Sequence, residues 1–118
     1  MTWKKIFQKG QELVLATASK TGEPNANVVE SLGFCDGRLM VIDVVMNRTI
    51  KNLRANPRIC VYGASHGEYY RLNGAVRLVT NGKYFAWCVK WSKGYKVRTA
   101  IVITVKTVFD LEKMKKVL

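Results

Sequence analysis

NRTIKNLRANPR, Asn47 to Arg58, sets one short helix between two extended runs. Asn47 is a residue type that caps helices, and the first turn then carries Arg48, Thr49 and Lys51: two cations and a hydroxyl beside free backbone N–H groups. An anion placed there meets the side chains and the positive end of the helix dipole together, which makes the turn a candidate phosphate seat. Ile50 and Leu53, spaced i, i+3, give the helix a buried stripe, and Pro57 drives Asn56 out of helical conformation and starts the next extended run. A capped connecting helix with solvated cations fits the same residues equally well.

Upstream of this helix, Arg38 to Val45 reads as an apolar strand entered through Asp36-Gly37, a hairpin signal. It follows an extended stretch from Asn25 to Gly33, so the second and third strands are expected to pair antiparallel. Before them, Leu13 to Ala18 is an apolar run of strand length followed by the turn-rich SKTGEP. Trp3, Ile6 and Phe7 form an i, i+3, i+4 face on a first helix that Thr2 can cap and Gly10 can end.

Downstream, Arg58 to Gly63 is a fourth strand. After the loop Ala64 to Gly67 comes a fifth, in which Tyr70, Leu72, Val76 and Leu78 alternate with Tyr69, Arg71, Ala75 and Arg77. Asn81-Gly82 opens a helix with Tyr84, Trp87, Cys88 and Trp91 at helical spacing, aromatics that suit a core or an interface. Ala100 to Lys106 is a sixth strand, and Leu111 with Met114 suggests a short terminal helix. The expected architecture is mainly β (α+β): one domain, 1–118, a six-stranded antiparallel barrel with short flanking helices, closed because closure removes exposed edges.

Composition narrows the partners. With 20 basic and 8 acidic residues the net charge is +12, which suits an anionic partner. Nine of the cations lie from Lys83 onward, opposed only by Asp110 and Glu112. Cys35, Cys60 and Cys88 lack any C-x-x-C spacing, and with His66 the only histidine there is no metal set. Cys60 and Cys88 sit in apolar patterns as core residues, while Cys35 beside the Asp36-Gly37 turn is expected to be partly exposed. MTWKKIFQKG lacks the apolar core of a signal peptide and no run has the length of a membrane span, so a cytoplasmic protein is expected. No Ser-His-Asp or Cys-His pairing is legible for nucleophilic catalysis.

The order ELVLATASKTGEPN, DGRLMVIDVV, NRTIKNLRANPRICVY and YYRLNGAVRLVTNG resembles the pyridoxamine 5'-phosphate oxidase-like, flavin-binding split-barrel superfamily, across most of the chain. The ending TAIVITV is most similar to the small FMN-binding proteins of anaerobic bacteria. The resemblance implies a homodimer with FMN at the subunit interface, acting in electron transfer or as a small flavin-dependent oxidoreductase. It places the FMN phosphate at Arg48 and Thr49, with Lys51 adding charge, and the isoalloxazine ring against Asn27, Val28, Val29, Glu30 and Ser31, with Ile42 and Asp43 opposite. Trp91 and Tyr95 then either cover the ring from the neighbouring subunit or pack the dimer. The parent oxidase activity is not implied, since the chain is short and lacks a recognisable C-terminal substrate segment.

Glu30 stands where related small flavoproteins carry a neutral polar group. A carboxylate there opposes negative charge on the ring, unless it simply faces solvent and pairs with a lysine. Two other classes fit parts of the sequence: a split barrel holding deazaflavin or haem, and a nucleic-acid-binding module using the charge with Tyr69, Arg71 and Arg77. The basic C-terminal third also suits an acidic redox partner protein.

Overall fold

The computed structural model describes residues 3–118. The proposed cap at Thr2 lies outside the described residues. The first helix is a tight 3-10 segment, Trp3–Phe7, rather than an α-helix; Trp3, Ile6 and Phe7 are buried, the face that their spacing indicated. Eight strands follow: β1 Glu12–Ala18, β2 Pro24–Glu30, β3 Phe34–Cys35, β4 Arg38–Asp43, β5 Arg58–Ser65, β6 Glu68–Val79, β7 Thr99–Asp110 and β8 Lys115–Lys116. Helix α1, Asn47–Ala55, separates β4 from β5, and α2, Gly82–Trp91, separates β6 from β7. The two strands beyond the expected six, β3 and β8, are two residues each.

The hydrogen-bonded order is β2-β1-β5-β6-β7-β4-β3, antiparallel throughout, with β8 on β7. The ends of this path approach each other only at the bend after β2. Ser31 N–H donates to Gln11 O at 2.8 Å, whereas Leu32 N–H donates to Met40 O at 3.0 Å and Met40 N–H to Gly33 O at 2.9 Å. The chain thus staples β1 to β4 there and leaves β2 and β4 unpaired beyond it, which is the split of a split barrel.

This corrects the expected pairing of the second and third strands. β2 pairs with β1 along its whole length, Glu12 opposite Glu30 through Ala18 opposite Pro24. The Asp36-Gly37 turn serves only the short β3–β4 hairpin. The reason is local: Gly33 takes φ +91, and the buried Ser31 hydroxyl donates to Phe7 O at 2.6 Å while accepting Gly33 N–H at 2.9 Å, so the strand ends before it can form a ladder with β4. The expected terminal helix is also replaced. Asp110 Oδ1 accepts the N–H groups of Glu112 and Lys113 at 3.0 and 2.9 Å, turning the chain back into β8.

Strand parity divides the interior in two. Leu13 and Leu15 of β1, Leu39 and Val41 of β4, and Ile101 and Ile103 of β7 fill the barrel, plugged at its ends by the 3-10 segment and by Ile50 and Leu53 of α1. Met40 of β4 and Ala100 and Val102 of β7 face outward and are covered by α2 through Cys88, Tyr84 and Trp87. At Gly74 the β6–β7 register shifts, and a Cβ there would stand 2.7 Å from Thr104 O, so only glycine fits the bulge.

Candidate functional site

The split between β2 and β4 is a cavity of about 270 Å³ with an apolar wall of Val28, Leu32, Ile42 and Val44. Ser92, Lys93 and Tyr95, from the loop after α2, close its other side. Only some of the expected ring-contact residues reach it. Val28, Val29, Glu30 and Ile42 line the cavity. Asn27, Ser31 and Asp43 do not, because their side chains are engaged elsewhere.

Asp43 is completely buried and accepts Arg98 Nε at 2.7 Å, Arg98 Nη2 at 2.9 Å and the Met46 N–H at 2.7 Å. Burial by itself would raise this carboxyl; the hydrogen bonds from Arg98, Met46 and Thr99 outweigh it and hold the group below the usual carboxylate range. Asp43 is thus the residue that aims the β4–α1 turn. It also explains why Asn47 is not the helix cap: Met46 occupies that position, with no side-chain cap, and Asn47 is the first helical residue.

Thr49 is buried, and its hydroxyl donates to Asn27 Oδ1 while accepting Asn25 Nδ2 at 3.2 Å. It therefore ties α1 to β2 and has little left for a ligand. What the first turn does offer an anion is Arg48 and backbone. Arg48 is exposed and only loosely paired with Glu23, at 3.6 Å between two exposed side chains. Among the described residues, the Arg48 and Thr49 N–H groups have no acceptor. Lys51 turns away from this spot into a separate cavity of about 320 Å³, beside Arg54 and Arg98.

Glu30 pairs with Lys93, Oε2 to Nζ, at 2.7 Å. The hydrogen bond, with the Coulomb attraction behind it, raises the Lys93 ammonium above its ordinary value. Of the two expectations for Glu30, the solvent-facing lysine pairing is met, and the pair also borders the cavity. Tyr95 lines the cavity of its own chain, 66% exposed. Trp91 lies under the Lys9 ammonium, 3.6 Å from the ring centroid. Sequence reasoning did not find Lys93 as a cleft residue, since only the α2–β7 loop brings it 63 residues back to Glu30.

The residues fit a flavin in outline. A flat ring has an apolar wall and a polar rim, and a phosphate has Arg48 and two unpartnered N–H groups in the first turn of α1, which Thr49 ties to Asn25 and Asn27 of the strand that lines the cleft. His66 pairs with Ser65 at 2.8 Å in the β5–β6 turn, outside this cavity. The cysteines behave as small packed residues: Cys88 is buried and burial pushes its thiol up to about 11, whereas Cys35 and Cys60 are half-buried.

Comparison with known proteins agrees with this architecture. An uncharacterised protein of Methanocaldococcus jannaschii is 27% identical over 106 residues, 83% of this chain and 71% of that protein. HupZ of Group A Streptococcus superposes with a TM-score of 0.88 at 20% identity, covering 100% of this chain and 98% of that one. An FMN-binding protein of Syntrophomonas wolfei superposes with a TM-score of 0.76 at 13% identity, covering 92% of this chain and 80% of that one. An F420 reductase and HutZ, the haem storage protein of Vibrio cholerae, share the fold at TM-scores of 0.71. These likenesses establish the split barrel, and neighbours of that fold bind chemically different cofactors. The sequence profile of pyridoxamine 5'-phosphate oxidase matches residues 2–112, nearly the whole chain, and the chain belongs to that family.

Proposed function

We propose that this protein binds FMN, with the ring in the β2–β4 split and the phosphate at the first turn of α1, and works as an electron carrier or small flavin-dependent oxidoreductase. The observation that carries this reading is the alignment along one strand of an apolar cleft and an anion seat: Val28 and Glu30 of β2 face the cleft, while Asn25 and Asn27 of the same strand hold Thr49 in α1. When bound, the flavin would supply the redox chemistry. The chain's part is to hold and orient it: Arg48 neutralises phosphate charge, the α1 N–H groups receive its oxygens, and Val28 and Ile42 exclude water from one ring face.

A homodimer completes the reading. Val28 is 64% and Val45 76% exposed, apolar surface near the cleft that a second copy would cover. Three free cysteines suit a cytoplasmic location. Among the described residues no helix is long and apolar enough to cross a membrane. The charge of +12 leaves an acidic redox protein as the partner it favours.

A visible absorption spectrum of the purified protein, before and after adding FMN, tests the proposal. A flavin spectrum with micromolar uptake supports it. A colourless protein that takes up deazaflavin or haem but not FMN overturns the cofactor assignment, and salt-sensitive binding of single-stranded nucleic acid without any flavin overturns the class.

A further inference from the structure

The cleft is apolar along its β2–β4 wall except at one residue, Glu30. Glu30 from β2 and Lys93 from the α2–β7 loop are the charged side chains among its lining residues, and they meet at 2.7 Å. Neither arrives by default. Lys93 takes a left-handed backbone, φ +58, and Gly94 follows at φ +87, a pair of conformations that turns the loop sharply back over the split. Both side chains remain about half exposed or more, so as a tether between β2 and the loop the ion pair contributes little to folding. Its larger physical effect is the field it casts into the cavity that both residues border.

We infer that Glu30 and Lys93 act on a bound flavin ring as opposed halves of one device: Lys93 stabilises the negative charge that reduction adds, Glu30 offsets it, and the balance between them keeps either charge alone from shifting the reduction potential. This rests on the FMN reading above. Two-electron reduction of a flavin with uptake of one proton leaves the ring carrying one negative charge, whereas uptake of two leaves it neutral. A cation at the rim favours the charged form and an anion disfavours it. With both present their effects largely cancel at the ring, so Glu30 does not act as the lone repelling carboxylate that the sequence suggested. Removing either partner uncovers the other.

The test compares wild type, Glu30→Gln, Lys93→Met and the double variant, each loaded with FMN, by affinity for oxidised FMN and by spectroelectrochemical midpoint potential. Lys93→Met should lower the ratio of reduced to oxidised affinity about ten-fold, equivalent to about 30 mV for two electrons. Glu30→Gln should raise it by a similar factor, the double variant should return close to wild type, and all shifts should shrink at high salt. Four FMN-loaded proteins with ratios within two-fold of one another overturn the inference and leave the FMN reading standing. Failure of the wild type to take up FMN removes that reading and this inference with it. Unchanged thermal midpoints show that the variants report on the ring and not on folding.

Discussion

Asp43 and Arg98 join the end of β4 to the residue just before β7 through two hydrogen bonds, 2.7 and 2.9 Å, and a third bond from the Met46 N–H to Asp43 fixes the turn that launches α1. A completely buried carboxylate thereby determines where the first turn of that helix points. The candidate anion seat depends on this contact although Asp43 itself does not reach the cleft.

Replacing Asp43 with Asn removes the charge and one good acceptor. The half-exposed Arg98 recovers part of its solvation, so the expected loss is about 2–3 kcal/mol and not the larger cost of a fully buried pair. The pH dependence has a defined sign. Because folding lowers the Asp43 pKa, its contribution is fully present above the unfolded-state value of about 3.9 and is lost as pH falls through the folded value. Urea unfolding of wild type and Asp43→Asn at pH 7, 4 and 3 should show the difference narrowing towards acid; a constant difference would exclude linkage through this carboxyl.

Arg48 and Thr49 separate by mechanism. Arg48 is exposed, so Arg48→Ala should leave the melting temperature unchanged and weaken FMN binding about ten-fold, the equivalent of about 1.4 kcal/mol. Thr49 is buried against Asn25 and Asn27, so Thr49→Val should lower stability by about 1–3 kcal/mol and weaken FMN only through the loosened α1–β2 contact. Isothermal titration beside thermal melts distinguishes them, and equal effects on affinity with no change in melting would return Thr49 to direct ligand contact.

Gly74 should not tolerate alanine. The new methyl would meet Thr104 O at 2.7 Å and Ile103 Cγ2 at 2.8 Å, with backbone on one side unable to yield. We expect a loss of about 1–3 kcal/mol in chemical denaturation, the usual cost of overpacking. A neutral Gly74→Ala would mean that the β6–β7 bulge relaxes freely.

Thiol labelling at pH 8 should order the cysteines by burial. Cys88, raised to about 11 and completely covered, should react only after denaturation, while the half-buried Cys35 and Cys60 react in the native state. Native-state labelling of Cys88 at the same rate would show that α2 lifts from the sheet.

Much of the fold is legible because it depends on period. Leu13 and Leu15, Tyr70 and Leu72, and Ile101 and Ile103 alternate as strands and are buried, and Ile50 with Leu53 forms the inner stripe of a short helix. The site is less legible because contacts between distant residues have no period. Nothing near Asp43 shows that Arg98 would hold it at the turn, nothing near Thr49 that two asparagines of β2 would claim its hydroxyl, and nothing near Lys93 that it would reach Glu30.

Local sequence therefore determined the six longer strands, though not the two-residue β3 and β8, where the connecting helix starts and ends to within a residue, and that its first turn is cationic. These are set by backbone preference and by the burial of every second or every third to fourth side chain, forces that act within a few residues. Tertiary structure alone decided that β2 joins β1 and leaves β4 open, which polar groups remain unpaired at α1, and which charges border the cleft. Those outcomes follow from competition among hydrogen-bond partners far apart in the chain, settled only when the barrel closes on one side of Gly33 and splits on the other.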